Sequence, residues 1–497
     1  MNILLVSAEY APLAKVGGLA DAVAGLAGAL AARGHDVRVV LPAYGAIVDR
    51  AAEAGFRPAG GPPLALRTGT VFRRAAWLER PRATRGPRLY LLDAPEVFAG
   101  DIYDRAGGPP LALERAALLA QAALLLPQRL GWPVDIVHAH DAHAALVPVC
   151  RRLWFDAAVL PEAAISVLTI HNLAHQEIHP LDALAALGLP ATALAYPGLL
   201  EFHGLANLMK GAIVAADTVN TVSPTYATET VAGAEFGCGL EGALAARGAA
   251  YRGILNGADY RSWNPRADRA LPAPFSAAAI AGREHCRVAL RRELGLVDVA
   301  PGRLLCGFVG RLVAQKGVEL LLPLLERLAE DGLGFALLGS GDGALEERLR
   351  ALADAHPGSI AFVRGFDDAL ARRIYGGSDL FLMPSLFEPC GLGQMYALRY
   401  GAAPIVRRTG GLADTVVDAA LPDGDGFVFD DARPDALLAA LRRAEALWSD
   451  RSGWAALQQR GMRRLFDWDR SAADYELMYT QAAVAGQAAG RGGHVRG

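Results

Sequence analysis

Five short apolar runs, at 304–310, 335–340, 360–365, 379–384 and 403–408, alternate with stretches of helical periodicity at 317–331, 344–355, 367–375 and 391–400. Few folds accommodate that alternation. Parallel strands need crossover helices, and right-handed crossovers stack those helices on the two faces of one twisted sheet. The first half repeats the pattern less regularly, with candidate strands at 3–8, 36–41, 70–78, 88–92, 134–139, 164–170, 217–222 and 251–255. The expected fold class is α/β, doubly wound. At 497 residues the chain exceeds what one core ordinarily serves, so two domains are expected. The break falls in 256–300, where Pro265, Pro272 and Pro274 interrupt the helical pattern. This predicts domains at 1–255 and 256–461, a C-terminal helix at 462–483 and a glycine-rich, disordered tail at 484–497.

Open α/β sheets bind ligands at the carboxyl ends of their strands, and the polar residues gather there. After Asp379-Leu-Phe-Leu-Met-Pro384 comes Ser385-Leu-Phe-Glu388-Pro-Cys390-Gly-Leu-Gly393, which delivers one carboxylate, Glu388, to a turn before a helix. Gly391 permits close entry to that helix, and the backbone N–H groups around Cys390 and Gly391 are expected to point above the sheet. Beyond the strand Ile3–Ala8, Lys15, Gly17, Gly18 and Asp21 cluster before a helix whose apolar stripe is Leu19, Val23, Leu26 and Leu30. Two glycines beside a lysine make an anion site. Arg311 and Lys316 follow the strand 304–310, again before a helix, where two cations suit a bound anion. His171 and Asn172 end the strand 164–170, and Asn256 follows the last strand of the first half. Long irregular stretches at 93–112 and 172–207 are candidates to line the site. Gly17-Gly-Leu-Ala-Asp21 recurs as Gly410-Gly-Leu-Ala-Asp414, either by coincidence in a glycine-rich chain or because both domains present glycine turns to one cleft.

Other classes of function fit less well. Net charge is −3 with no concentrated basic face, which argues against nucleic acid. We find no apolar run long enough to span a bilayer, and the six-residue N-terminal run lacks a basic leader, so it reads as a strand rather than a signal peptide. The five cysteines form no CxxC pair, which fits a reducing cytoplasm. His138-Ala-His140-Asp141-Ala-His143 suggests metal ligands, but its aspartate falls one position early for the metallo-hydrolase pattern. Gly339-Ser-Gly-Asp-Gly-Ala344 matches a permissive dinucleotide pattern, yet it follows the domain's second strand rather than its first. No Asp-x-Asp pair stands at a strand end to hold Mg²⁺, and a glycosidase would need a second carboxylate opposite Glu388.

Taken together, Lys15-Val-Gly-Gly-Leu, His138-Ala-His-Asp141, His171-Asn172-Leu-Ala, Leu255-Asn-Gly-Ala-Asp259, Arg311…Gln315-Lys316-Gly, Phe387-Glu-Pro-Cys-Gly-Leu392 and Thr409-Gly-Gly-Leu-Ala-Asp resemble the bacterial glycogen and plant starch synthases that use ADP-glucose. The matches run in family order over nearly the whole chain. Many related transferases carry a second glutamate eight positions after the first, where this chain has Tyr396, as the ADP-glucose synthases do. The resemblance implies two Rossmann-like domains of the GT-B glycosyltransferase fold, facing a cleft that holds the donor. The first would take the glucan acceptor, the second the nucleotide sugar, and the C-terminal helix would pack back on the first. It implies transfer of glucose, with retention, from ADP-glucose to the 4-hydroxyl of an α-1,4-glucan such as glycogen or maltodextrin, without metal or other cofactor. Glu388, His171, Lys15, Arg311 and Lys316 would be catalytic. Lys15, Arg311 and Lys316 would carry the diphosphate, His171 and Asn256 flank the sugar, and Phe366 lie near the adenine. Glu388 and the amides near Cys390 and Gly391 would hold the glucose hydroxyls, with Gly17, Gly18, Asp21, Asp141, Asn172, Leu392 and Thr409 completing the substrate-binding set. The chain departs from the family at Ala142 (usually Trp), Pro110 (usually Tyr) and His175-Gln-Glu177 (usually Tyr-Gln-Gly). Two fewer aromatics predict weaker glucan binding. The alternatives are a catalytically weak binding homologue and a synthase with another acceptor.

Overall fold

A computed structural model describes residues 1–60, 63–81, 86–103, 107–153 and 164–488. The chain divides into two compact units, Met1–Gly257 with the segment from Trp468 onward, and Ala258–Asp467.

In the first unit the strands are β1 (Asn2–Val6), β2 (Asp36–Pro42), β3 (Arg57–Pro58), β4 (Leu64–Thr68), β5 (Val71–Arg80), β6 (Arg88–Asp93), β7 (Ile136–His140), β8 (Ile165–Ile170), β9 (Ile178–His179), β10 (Glu201–Phe202), β11 (Leu205–Asn207), β12 (Thr218–Thr221) and β13 (Tyr251–Gly253). The main sheet runs β13-β12-β8-β7-β1-β2-β6-β5-β3, with β4 paired to β5, while β9 to β11 form a small separate sheet. From β13 through to β6 every pairing is parallel. Ile3, Leu4, Leu5 and Val6 are wholly buried, as a central strand covered by helices on both faces requires. The edge is different: β3 and β4 both pair antiparallel with β5, an addition that the sequence reading missed.

The helix Gly18–Ala32 buries Leu19, Val23, Leu26 and Leu30 and ends at Gly34, whose φ of 98° suits a residue just past a helix terminus. Gly25 on this helix admits the C-terminal helix Trp468–Ala488, since a Cβ there would stand 2.0 Å from Trp468 Nε1. Arg33 anchors the same helix through two 2.8 Å bonds to Glu476. The helix thus begins at Trp468, not 462, and residues 484–488 of the expected disordered tail belong to it. The rest of that tail, 489–497, lies outside the described residues. Residues 462 and 463 close a separate helix, Arg451–Arg463, capped by the Asp450 carboxylate. The helix Gly108–Arg129 is long and apolar enough to cross a membrane by length and composition, contrary to the sequence reading; more than half of it is buried inside the unit, as in a core helix.

In the second unit the strands are β14 (Leu305–Leu312), β15 (Gly334–Gly341), β16 (Ile360–Arg364), β17 (Leu380–Met383), β18 (Ala403–Arg407) and β19 (Phe427–Phe429). All are parallel, in the order β16-β15-β14-β17-β18-β19. That order reverses direction at β14, the switch point where doubly wound sheets open a crevice. The units divide at Gly257/Ala258 and Asp467/Trp468 rather than at 255/256 and 461/462. Each has its own apolar core.

Candidate active site

Parallel pairing places every strand's carboxyl end at one edge of its sheet, so the polar residues predicted for each unit share an edge. In the second unit the turn after β14 is pulled against the end of β17. Gly317 has φ 63°, and a Cβ on it would stand 1.9 Å from the Pro384 carbonyl, so only glycine permits the approach. Leu386 N–H donates to the Gln315 carbonyl at 2.8 Å, pinning the two turns. Lys316 Nζ then reaches Glu388 Oε2 at 2.6 Å, where the Ser385 hydroxyl also donates at 3.0 Å. Glu388 is 5% exposed, so its carboxylate is held in place by a fixed cation and a fixed hydroxyl. Arg311, at the end of β14, is exposed.

The loop at Glu388 is clamped from the next strand as well. Thr409, fully buried after β18, leads into Gly410 and Gly411; a Cβ on either would meet the Glu388 or Cys390 carbonyl at 2.1 Å, and Gly411 N–H donates to the Glu388 carbonyl at 3.0 Å. The other copy of this repeat differs, since a Cβ on Gly17 or Gly18 would meet nothing within 4 Å. The helix after Glu388 starts at Gly393, later than the 391 expected, because Gly391 adopts φ 73°. Gln394 Nε2 donates at 3.0 Å to the carbonyls of both Cys390 and Gly391, and Leu392 stands at the helix N-cap. Phe366 follows β16 and is 76% exposed. The dinucleotide-like turn is already occupied: the Asp342 carboxylate accepts from Ala344 and Leu345 N–H, and Glu346 accepts from Gly341 N–H.

In the first unit, Lys15 pairs with Asp21 at 2.9 Å, both partly exposed. Sequence reasoning overlooked Glu9, the residue that shapes this loop. Its Oε2 accepts from Val16 N–H at 2.8 Å and Gly17 N–H at 3.0 Å, and Oε1 accepts from the Tyr103 hydroxyl. A carboxylate three residues past β1, at the start of the loop, was the available signal. Asp141, after β7, accepts from the backbone N–H of His171 at 2.7 Å and of Asn172 at 3.3 Å, both after β8. Burial raises its carboxyl to about 7, even though those bonds oppose the shift. Burial also lowers His138 and His171 to about 3 and holds His140 well below its usual value. The Asn256 Oδ1 is buried without a protein partner.

The histidine cluster does not converge. His138 engages Tyr479 and Thr169, His140 faces His171, and His143 stands 3.5 Å from Glu177. The departures from the family pattern have structural consequences. Ala142 is fully buried in the turn Ala142–Ala144, so no open slot awaits an indole. Glu177 keeps the left-handed conformation that glycine would favour, φ 54°, and its carboxylate lies 3.1 Å from His179 Nε2. Pro110 sits in the first turn of Gly108–Arg129, where its missing N–H costs nothing; Arg105 lies outside the described residues.

Residues 2–246 match the family model for the starch synthase catalytic domain, and 298–456 that for glycosyl transferases group 1. Glycogen synthase 2 of Geobacter sulfurreducens is 43% identical over 493 residues, 97% of this chain and 99% of that protein. The glycogen synthase of Leptothrix cholodnii is 44% identical over 497 residues, 97% of this chain and all of its own length. Among solved structures, the catalytic domain of Arabidopsis thaliana starch synthase IV, bound to ADP and acarbose, matches with a TM-score of 0.88 at 33% identity, covering 97% of this chain and 99% of that one. A sucrose-phosphate synthase from Thermosynechococcus elongatus, at 19% identity and TM-score 0.61, shares the fold.

Proposed function

Because this chain belongs to the family of bacterial glycogen synthases and plant starch synthases, a family of retaining glycosyltransferases of the GT-B fold, we propose that it transfers glucose from ADP-glucose to the non-reducing 4-hydroxyl of an α-1,4-glucan. The observation that carries the reading is the clamped Lys316–Glu388 pair beside exposed Arg311. Glu388 accepts the glucose hydroxyls, while Arg311 and Lys316 face the diphosphate and Phe366 lies against the adenine. In the other unit Lys15 meets the diphosphate, His171 and Asn256 meet the sugar, and the orphaned Asn256 Oδ1 is an acceptor ready for a hydroxyl. Support for the ligand classes comes from the starch synthase relative, which was solved with ADP and acarbose.

Breaking the sugar C1–O bond leaves an oxocarbenium-like sugar and a diphosphate that gains negative charge. Fixed cations stabilise that diphosphate more in the transition state than in the ground state, which is how binding becomes rate. With retention, the acceptor hydroxyl approaches from the side the phosphate leaves, so the leaving oxygen takes the acceptor proton and no separate base is needed. All five cysteines are free thiols, which supports a reducing, cytoplasmic setting. The test is ADP release from ADP-glucose with and without glycogen. We expect glycogen-dependent release in the wild type, and losses of ~100-fold or more in kcat for Lys15→Ala and Arg311→Ala with glycogen binding retained. Equal loss of glycogen binding in both variants would overturn the assignment, and ADP-glucose binding without turnover would favour the non-catalytic homologue. With Ala142 and Pro110 in place of aromatics, maltodextrin affinity is expected to be weak beside that for ADP-glucose, as read by calorimetry of each ligand.

A further inference from the structure

The histidines at the ends of β7 and β8 belong to one chain of hydrogen bonds, and the position of each proton can be worked out. Thr169 donates its hydroxyl to Asn220 Oδ1 at 2.7 Å, so it must accept from His138 Nε2, 2.6 Å away. His138 therefore carries its proton on Nε2, and its Nδ1 accepts from the Tyr479 hydroxyl at 2.8 Å. Its ring lies 4.1 Å from that of His140. His140 has less to bind. Its Nδ1 lies 3.1 Å from His171 Nε2, while its own Nε2 is buried with no protein partner.

Desolvation keeps both rings of the His140–His171 pair neutral, so each holds one proton. Two arrangements are open. If His140 carried its proton on Nε2, a buried N–H would be orphaned. If the proton is on Nδ1, only a bare nitrogen lacks a partner. Orphaned buried N–H groups are rarer than under-satisfied acceptors, so the second arrangement wins. His140 Nδ1–H then donates to His171 Nε2, and the remaining proton of His171 is on Nδ1. Among the described residues that Nδ1 has no protein hydrogen-bond partner, and His171 is only partly buried, which leaves this nitrogen to meet a ligand.

We propose that His140 is a positioning residue that fixes His171 as the tautomer protonated on Nδ1, so that the ring offers a donor, not an acceptor, to an oxygen of the bound sugar. The proposal rests on the reading that His171 meets the transferred glucose, but the proton placement can be tested without turnover. The ring cannot flip its proton without leaving two lone pairs, or two N–H groups, facing each other across 3.1 Å.

The first measurement is a two-bond ¹H–¹⁵N correlation spectrum of the full chain labelled in histidine, with His171 assigned by its disappearance in His171→Gln. A protonated Nδ1 on His171 is expected, and a proton on Nε2 overturns the proposal whether or not the enzyme turns over. The second compares His140→Asn, whose side-chain amide can donate from the position of Nδ1, with His140→Leu, which cannot. His140→Asn should keep the tautomer and most of kcat. His140→Leu should give a mixture of tautomers and cut kcat at least ~10-fold, with the KM for ADP-glucose changed less than ~2-fold. Equal losses in both variants with an unchanged His171 tautomer would overturn it.

Discussion

Asp141 adopts φ 60° and ψ −177°, a region nearly confined to glycine, at a cost of about 1–3 kcal/mol. Glycine could hold that backbone, but it could not accept the N–H groups of His171 and Asn172. The carboxylate acts as a clasp between β7 and β8, and its burial has a consequence in pH. Asp141 is raised to about 7, so between about 4 and 7 the folded chain keeps a proton that the unfolded chain has released, and this group costs stability as pH rises through that window. His138 and His171 act oppositely. Lowered to about 3 from an ordinary 6.5, they stay neutral while the unfolded chain is charged, so stability is lost as pH falls from about 6.5 towards 3. The histidines outnumber the aspartate, so the urea midpoint should decline on acidification below about pH 6.5. Asp141→Asn keeps an oxygen for both N–H groups and removes the opposing titration. It should raise stability at pH 7.5 by about 1–4 kcal/mol and steepen the decline towards pH 4. A wild-type midpoint that stays flat between pH 7 and 5 would contradict both assignments.

Among the elements, the apolar runs of the two parallel sheets were legible, the edge strands β13 and β16 included, whereas the short strands β3, β4, β9 to β11 and β19 were not. The strands β14, β15, β17 and β18 are apolar runs because a parallel sheet covered by helices admits little else, and these and the half-buried edge strand β16 were each located to within about two residues. The three residues of β19 and the two exposed residues of β3 are too few to show a period, and β4 buries only Leu66 and Thr68 of its five residues. Helix Arg451–Arg463 follows Pro434–Ser449 with only Asp450 between them, which sequence periodicity does not separate. Of the residues proposed for the site, Lys15, Arg311 and Glu388 stand out in the sequence by their position at strand ends. Glu9 and His140 do not, because their partners, the backbone of Val16 and Gly17 for one and the His171 ring for the other, are set by the fold rather than by sequence spacing. The turn at Gly317 gives the sharpest test at this scale. Gly317→Ala adds left-handed strain of about 1–2 kcal/mol to a collision with the Pro384 carbonyl, and so should cost at least ~2 kcal/mol and disturb the Lys316–Glu388 pair. By contrast, Gly28→Ala, in a helix where a Cβ meets nothing within 4 Å, should stabilise by about 0.5–1 kcal/mol. Thermal melts of the two variants should therefore shift in opposite directions, and a Gly317→Ala variant as stable and active as the wild type would mean the two turns are not held by that contact.

At the scale of the whole molecule, the chain leaves its first unit at Gly257 and returns to it at Trp468, so the first unit is completed by a segment that follows the second in sequence. Each unit brings cations to its own strand-end edge: Lys15 in the first, Arg311 and Lys316 in the second. Lys15 is partnered by Asp21 and Lys316 by Glu388, so these ammonium groups are oriented before any substrate arrives; in the proposed function that orientation would remove part of the cost of organising charge around the leaving group. A diphosphate stabilised by side chains of fixed position does not depend on a dissociable ion. Activity with ADP-glucose and glycogen should therefore be unchanged in excess EDTA and should not rise when Mg²⁺ or Mn²⁺ is supplied. Binding of a diphosphate by fixed cations is also sensitive to salt. Screening at about 10 Å in 0.1 M and about 3 Å in 1 M should raise the KM for ADP-glucose steeply, and affect that for the neutral glucan much less. Initial rates in EDTA, in each metal and across that salt range would check both expectations. Loss of activity in EDTA that Mg²⁺ restores would show that a metal, not the lysines and arginine, carries the leaving diphosphate.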